Sequence, residues 1–224
     1  MDVSPGKIVV YSDIGCPWAH VAVERLHAAR RRLHLDDDVR IDHRAFPLEL
    51  ANERPTPWNV LHAEVPVTGA IEPDAGWQMW QAPPSHWPVS TLPALEAVQA
   101  AKEQSLRASE ELDRALRQAL FAQSRCITMR HVVLDVAGAC AAVDADALAV
   151  ALDDGRFRKA VVQQWRAAQS CGADGSPHVF LPDGTDVHNP GIEMHWEGEH
   201  GQGFPVIDDD NPAIYDDLVK RAVA

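Results

Sequence analysis

The chain has 224 residues, of which 46% are hydrophobic and 24% charged, an ordinary balance for a globular protein large enough to bury a core. Its formal net charge of −13 argues against a nucleic-acid partner or an anionic membrane surface, because both attract basic patches. The N-terminus lacks the apolar stretch of a signal peptide, and no apolar run approaches the ~20 residues that cross a bilayer. We therefore expect a cytoplasmic protein with no nucleic-acid partner and no membrane partner.

The first fifty residues predict a β-α-β unit. Residues 8–11 form a short, uniformly apolar run that is typical of an interior strand. A helix is predicted to begin at Cys16-Pro17, since proline suits a first helical turn, and an apolar stripe begins at Trp18. Residues 39–46 then alternate apolar and polar side chains, as a half-exposed edge strand does.

The middle of the chain is predicted to be helical after a long loop. Residues 51–91 are rich in proline, and we expect them to form an ordered loop that acts as a lid or pocket wall. This segment carries four tryptophans, Trp58, Trp77, Trp80 and Trp87. Helices are predicted from residue 92 onward, one of them capped by Asp144, and the last ends at Cys171-Gly172.

The C-terminal part returns to β-structure. Residues 178–188 predict a hairpin, because two short apolar segments flank a turn that contains Gly184. Residues 189–212 hold four glycines and three prolines and are predicted to be a loop, after which a helix covers residues 213–222. The predicted order is β-α-β, a helical block of ~120 residues, then β-β-α, which indicates the α/β class.

One of the four cysteines stands out by its position. Cys16, Cys126, Cys140 and Cys171 lie far apart without a C-x-x-C pair, so we expect free thiols. Cys16 begins a helix, where backbone N–H groups and the helix dipole favour a thiolate, and such thiols have pKa values of about 3.5–7.5. We therefore predict that Cys16 is a nucleophile.

The position where a C-x-x-C motif places its second cysteine is occupied by Ala19. Cys16 therefore has no partner for an internal disulfide, and the chemistry left to it is monothiol exchange through a mixed disulfide. The alternative, a remote resolving thiol from among the other three cysteines, is weaker than simple core packing for them.

Histidines give less information. His20 lies one turn after Cys16 on the same helical face, where its cationic form would favour the thiolate, although we prefer a solvated surface histidine. Among the eleven histidines, His195 and His200 flank acidic residues without the spacing of a metal motif. We expect no metal site.

Four short motifs carry a family resemblance. Residues 12–18 read SDIGCPW, residues 44–49 read RAFPLE, residues 90–94 read STLPA, and residues 175–180 read GSPHVF. In this order they resemble the DsbA-like branch of the thioredoxin superfamily, and within it relatives of FrnE, the kappa-class glutathione transferases and the 2-hydroxychromene-2-carboxylate isomerases. The resemblance implies a thioredoxin fold (β-α-β plus β-β-α) from residues 1–50 and 171–224, with an all-helical insertion over residues 51–170.

The resemblance also implies the roles of several site residues. Pro177 would be a cis-proline facing Cys16, and the backbone of Ser176 would pair with an extended thiol substrate. Pro17 and Trp18 would contact the substrate beside the sulfur, with Trp18 shielding it.

Three functions follow from this resemblance and from the residues. The first is a thiol-disulfide oxidoreductase or disulfide isomerase acting at Cys16 on a protein or small-molecule disulfide. It would hold no permanent cofactor and would use glutathione or another low-molecular-weight thiol as co-substrate. The second is a glutathione-dependent transferase or small-molecule isomerase, with Trp77, Trp80 and Trp87 as the apolar wall of its pocket, although the same indoles suit plain core equally well. The third is a redox-inactive binding module. The kappa-like relatives imply a homodimer.

Overall fold

The computed structural model describes residues 1–223, in which two sheets combine with nine helices. The elements in chain order are β1 (Lys7–Ser12), α1 (Pro17–Arg32), β2 (Arg40–Ala45), α2 (Leu48–Ala51), α3 (Trp58–Ile71), α4 (Leu92–Gln104), α5 (Leu106–Phe121), α6 (Arg130–Gly138), α7 (Ala145–Asp154), α8 (Arg158–Cys171), β3 (His178–Phe180), β4 (Asp186–His188), β5 (Ile192–Glu197), β6 (Phe204–Asp210) and α9 (Ile214–Val223).

The central sheet has the strand order β2-β1-β3-β4. Strand β1 pairs in parallel with β2 and antiparallel with β3, and the β3–β4 hairpin completes the sheet. As predicted, β1 is interior and almost wholly buried, whereas β2 lies at an edge and alternates in burial. This is the thioredoxin fold.

Each face of the central sheet is covered by helices. Ile8 and Val10 of β1 face α1 and α9, whose apolar side chains close one core cluster. Val9 and Tyr11 point to the opposite face, where Ala168 of α8 packs against them. Because successive side chains of β1 point to opposite faces of the sheet, the strand contributes to a core cluster on each face, and α1 packs on the face of Ile8 and Val10.

Helices α2 to α8 follow β2 and precede β3, as expected for a helical insertion. Their common core is built from small and branched side chains of α4, α5, α6 and α7. Asp144 caps α7 through Ala147 N–H, and Gly172 ends α8 in the left-handed conformation, both as predicted. The boundaries drawn from the sequence at residues 50 and 171 remain a prediction.

Two segments differ from the sequence-based expectation. Residues 51–91 are not one long loop, because they contain the 14-residue helix α3, whose apolar spacing is hidden by Pro66 within it. Residues 189–212 are not a loop either, since β5 and β6 pair there as a separate antiparallel sheet. Positive φ angles at Gly198 and Gly201 shape the turn between these strands. Within residues 1–223, no helix has the length and apolar character needed to span a bilayer.

Candidate active site

Cys16 lies at the N-terminus of α1, after the loop that follows β1. Pro17 is the first residue of the helix, as predicted, where its missing N–H costs nothing. The Cys16 thiol makes no capping hydrogen bond and instead donates to the carbonyl oxygen of Ser176, 3.1 Å away. The peptide bond between Ser176 and Pro177 is cis. The fold thus brings Cys16-Pro17 next to Ser176-Pro177, about 160 positions later in the sequence.

A buried carboxylate, Asp13, fixes the loop between β1 and α1. Its Oδ1 accepts the N–H of Gly15 at 2.7 Å, and its Oδ2 accepts the N–H of Leu48 at 2.7 Å and the hydroxyl of Thr91 at 3.0 Å. The Asp13 N–H donates to Oγ of Ser176 at 2.9 Å. One residue therefore ties this loop to the insertion and to the segment before the cis peptide bond.

Arg117 of α5 holds the same loop from the insertion side. Its guanidinium is fully buried, forms an ion pair with Asp113 at 2.7 Å, and donates to the carbonyl oxygen of Asp13 at 3.0 Å and to Oγ of Ser12 at 2.8 Å. Because a buried cation is tolerated only when it is paired and hydrogen-bonded, this cluster is a rigid link between α5 and the site. The sequence offered no motif that predicted Arg117, although Asp13 lies inside the 12–18 motif.

Cys16 lines a cleft of about 730 Å³, counting the space in its mouth. A cleft of this size accommodates a small thiol or a few residues of an extended peptide. Pro17, Trp18 and Ser176 line it as well, while Pro177 adjoins it through its peptide bond to Ser176. The opposite wall is formed by residues near α2 and α3 and by the turn between β5 and β6, including Asn52, Arg54, Glu64 and His200.

The surroundings of Cys16 disfavour a thiolate. The residue is 3% exposed, and burial, followed by the Glu64 carboxylate, raises the pKa of its thiol to about 12. The hydrogen bond to Ser176 and the helix N-terminus act in the opposite direction without offsetting this effect. The low pKa expected from the sequence is therefore wrong for the unliganded protein, because the sulfur is withdrawn from water and lies near an acid.

Glu64 is a site residue that the sequence analysis missed. It lies on α3, is 7% exposed, and accepts a hydrogen bond from the indole N–H of Trp18 at 2.9 Å. Burial raises the pKa of its carboxyl to about 7. The available signal was a single acid in the otherwise apolar and weakly polar run of residues 58–71, which the prolines around it disguised as a loop.

His20 does not belong to the cleft. It is fully buried, its Nε2 lies 3.1 Å from the carbonyl oxygen of Ala75, and its ring stacks on Phe121 with centroids 5.1 Å apart. Burial lowers the pKa of His20 to about 3, so the ring is neutral. The preferred surface position and the alternative role as a cation beside Cys16 are both wrong, because the insertion covers this face of α1.

The predicted tryptophan wall lies elsewhere too. Trp77 packs on His20 and Phe121 and donates its indole N–H to the carbonyl oxygen of Glu72 at 2.8 Å. Trp80 and Trp87 meet edge to face at 5.2 Å and line a separate apolar pocket of about 300 Å³. None of the three lines the Cys16 cleft, and α3 contributes side chains both to that cleft and to the pocket of Trp80 and Trp87.

The other thiols are also away from the cleft. All four cysteines are free; Cys140 is buried and Cys126 and Cys171 are half-buried, and these three do not line the Cys16 cleft. In the part of the chain that the structure describes, no three metal-ligating side chains form a metal-binding group. His195 instead pairs with Asp208, with 2.8 Å between Nδ1 and Oδ2.

Comparisons with solved structures identify chains of the same fold. The cytosolic disulfide reductase DsbM from Pseudomonas aeruginosa is 16% identical with a TM-score of 0.61, covering 81% of this chain and 89% of that one. The probable DsbA oxidoreductase SCO1869 from Streptomyces coelicolor is 21% identical with a TM-score of 0.64, covering 96% and 89%. A 2-hydroxychromene-2-carboxylate isomerase is 16% identical with a TM-score of 0.55, covering 81% and 87%. Identities this low establish the fold alone, and no curated protein matches the sequence.

The family described as the DSBA-like thioredoxin domain matches residues 7–197, a range that contains all four strands of the central sheet, Cys16-Pro17 and Ser176-Pro177. The chain therefore belongs to the DSBA-like thioredoxin family.

Proposed function

We propose that this protein is a thiol-disulfide oxidoreductase or disulfide isomerase that works by monothiol chemistry at Cys16. The observation that carries the proposal is the position of the Cys16 sulfur, 3.1 Å from the carbonyl oxygen that precedes the cis peptide bond and on the wall of an open cleft. Ala19 occupies the place of a second motif cysteine and is fully buried, so exchange relies on an external thiol.

The reaction has two exchange steps. The Cys16 thiolate attacks one sulfur of a substrate disulfide, which forms a mixed disulfide and releases the other substrate sulfur as a thiolate that takes up a proton. A second thiol then attacks the mixed disulfide and restores the Cys16 thiol. If that thiol belongs to the substrate, the result is isomerisation; if it is an external small thiol, the result is reduction.

The cleft residues suggest how the substrate is held. An extended substrate would pair with the backbone of Ser176, and the Trp18 indole would shield the mixed disulfide. The exposed guanidinium of Arg54 at the mouth suits a carboxylate of glutathione or of another low-molecular-weight thiol. A DsbM structure determined with GSH, 14% identical to this chain, has the same fold. A cytoplasmic location, where such thiols are abundant, and a homodimer remain predictions.

The two alternatives have less support. The transferase or isomerase hypothesis assigned its apolar wall to Trp77, Trp80 and Trp87, and those indoles lie outside the cleft. The redox-inactive binding module agrees with the raised pKa of Cys16, yet Cys16 lines an open cleft although it is only 3% exposed, which favours a reagent that enters the cleft.

The test is mass spectrometry of the intact reduced protein after incubation with oxidised glutathione. We expect one glutathione adduct, located at Cys16, that is absent in Cys16→Ser and retained in Cys140→Ser, a variant of a buried thiol outside the cleft. The adduct should be removed by reduced glutathione, and the wild-type protein should then reduce or reshuffle a protein disulfide. An unmodified Cys16 after prolonged incubation would favour the binding module. Turnover of an electrophilic aromatic compound only in the presence of glutathione would favour the transferase.

A further inference from the structure

Glu64 is a buried acid without a cationic partner. It is the only acidic or basic side chain of α3 apart from His62, and it forms no ion pair with any residue in the described part of the chain, 1–223. Its single side-chain hydrogen bond comes from the Trp18 indole to Oε1, which leaves Oε2 without a donor. Burying a carboxylate in this way costs free energy unless something else compensates it.

The second acid near Cys16 shows the contrast. Asp13 is also buried, yet both of its carboxylate oxygens accept hydrogen bonds, from Gly15, Leu48 and Thr91. Asp13 is therefore saturated by the fold and does not line the cleft, whereas Glu64 does line it. Of the two acids, only Glu64 has an acceptor oxygen available to a ligand.

Within residues 1–223, no cationic side chain forms an ion pair with the Glu64 carboxyl. Arg54, the cationic side chain that lines the cleft, is exposed and forms no ion pair with Glu64. The His200 imidazole is also exposed, and partial burial and then the charge of Arg54 lower its pKa. The cleft therefore has the Arg54 guanidinium at its mouth and, further in, the buried Glu64 carboxyl, which is hydrogen-bonded to Trp18. A substrate with a hydrogen-bond donor or positive charge next to its disulfide would pair with Glu64 at the inner end of the cleft.

We propose that Glu64 determines the specificity of the Cys16 cleft by receiving an ammonium or similar donor group carried near the sulfur of a small disulfide. This inference rests on the proposed function. It names the substrate class as amino-bearing disulfides, since Glu64 lines the same cleft as Cys16 and its charge acts on the Cys16 thiol.

Pairing with the substrate also affects the nucleophile. The Glu64 carboxylate is a cause of the raised pKa of the Cys16 thiol, second to burial, and Asp13 contributes in the same direction. A cation bound at Glu64 cancels the first of these charges and thereby favours the thiolate. Substrate recognition and activation of Cys16 are coupled through one carboxylate.

Cys16 loses its thiol proton and attacks one sulfur of the amino-bearing disulfide R–S–S–R, forming Cys16–S–S–R and releasing RS⁻. The released sulfur takes up one proton, so the Cys16 sulfur is oxidised and one substrate sulfur is reduced. An external low-molecular-weight thiol then regenerates Cys16 by a second exchange.

Three small disulfides of similar size test the proposal. Cystamine carries two ammonium groups, 2-hydroxyethyl disulfide is neutral, and dithiodiglycolate carries two carboxylates. The rate of adduct formation at Cys16 is measured by intact mass at one pH well above 7, where the Glu64 carboxyl is ionised, and at high salt, which screens exposed charges. Each rate is divided by that of the same reagent with N-acetylcysteine. We expect wild-type protein to favour cystamine over the neutral reagent by about tenfold, the effect of 1.4 kcal/mol of charge pairing.

Three variants separate the effect of the Glu64 charge from that of the overall charge of the protein. Glu64→Gln keeps the acceptor for Trp18 and should abolish the cystamine preference. Asp74→Asn removes an equal charge from an exposed position outside the cleft and should leave the preference intact. Arg54→Gln should slow only the carboxylate reagent.

The outcomes are distinguishable. If wild-type Cys16 reacts with all three disulfides in proportion to their intrinsic reactivity, or if Glu64→Gln retains the cystamine preference, the specificity proposal is overturned while the proposed function stands. If Cys16 forms no adduct with any of them, both fail. The wild-type comparison decides the question even where Glu64→Gln does not fold.

Discussion

The ionisation of Glu64 should be visible in the stability of the protein. Burial raises the pKa of this carboxyl from 4.5 to about 7. Between these two values the folded protein holds a proton that the unfolded chain has lost, so stability is gained as pH falls through about 7 and is complete below 4.5. Each pKa unit corresponds to about 1.4 kcal/mol, and the shift therefore amounts to about 3 kcal/mol for this 7% exposed side chain.

Glu64→Gln removes this titration and retains the acceptor for Trp18. We expect the free energy of unfolding of the wild type, relative to Glu64→Gln, to decrease by about 3 kcal/mol as pH rises from below 4.5 to above 7. Urea denaturation of both proteins at several pH values measures the difference, in which the titration of all other carboxyls cancels. A difference that stays constant within about 1 kcal/mol over this range would refute a buried, unpaired Glu64.

Three further predictions concern the frame of the site and its thiol. Arg117→Met should lower the free energy of unfolding, measured by urea denaturation, by about 3–5 kcal/mol, because it leaves the buried Asp113 carboxylate without its ion-pair partner. The double variant Arg117→Met/Asp113→Leu should be less destabilised than the single variant. Ser105→Ala removes the N-cap of α5, whose Oγ accepts from Ala108 N–H at 2.9 Å, and should lower the free energy of unfolding by about 1 kcal/mol. Cys16 of the unliganded protein should react with iodoacetamide at pH 7.5 roughly 30-fold more slowly than a free cysteine. A thiol pKa of about 12 lowers the fraction of thiolate, and the greater nucleophilicity of a more basic thiolate offsets this loss only in part. Equal alkylation rates would contradict the raised pKa.

The sequence was most informative where the signal is local. The alternation in residues 39–46 correctly predicted an edge strand, and the apolar run at residues 8–11 an interior strand. Asp144 and Gly172 correctly predicted helix ends. These features depend on side-chain periodicity and backbone conformation within a few residues. The helix α3 was missed for the same reason, because Pro66 and the prolines before it are the strongest local indicators of a loop.

The electrostatics of the site were not accessible from the sequence. Cys16 at a helix N-terminus predicted a low thiol pKa, but the carboxylate that opposes it comes from Glu64, 48 residues later. The burial of Cys16 comes from a cluster to which α3 and β5 contribute side chains. His20 had a similar outcome, since Ala75 and Phe121 enclose a residue that local spacing placed at the surface.

The sequence by itself determined the thioredoxin topology, the position of Cys16 at the start of a helix, the alanine at position 19 and the cis-proline, because each of these follows from a short motif and its order along the chain. Only the tertiary structure decided the charge state of Cys16 and the walls of its cleft. Burial and Coulomb interactions depend on which distant segments meet, and for Cys16 the residue that matters, Glu64, lies in the insertion.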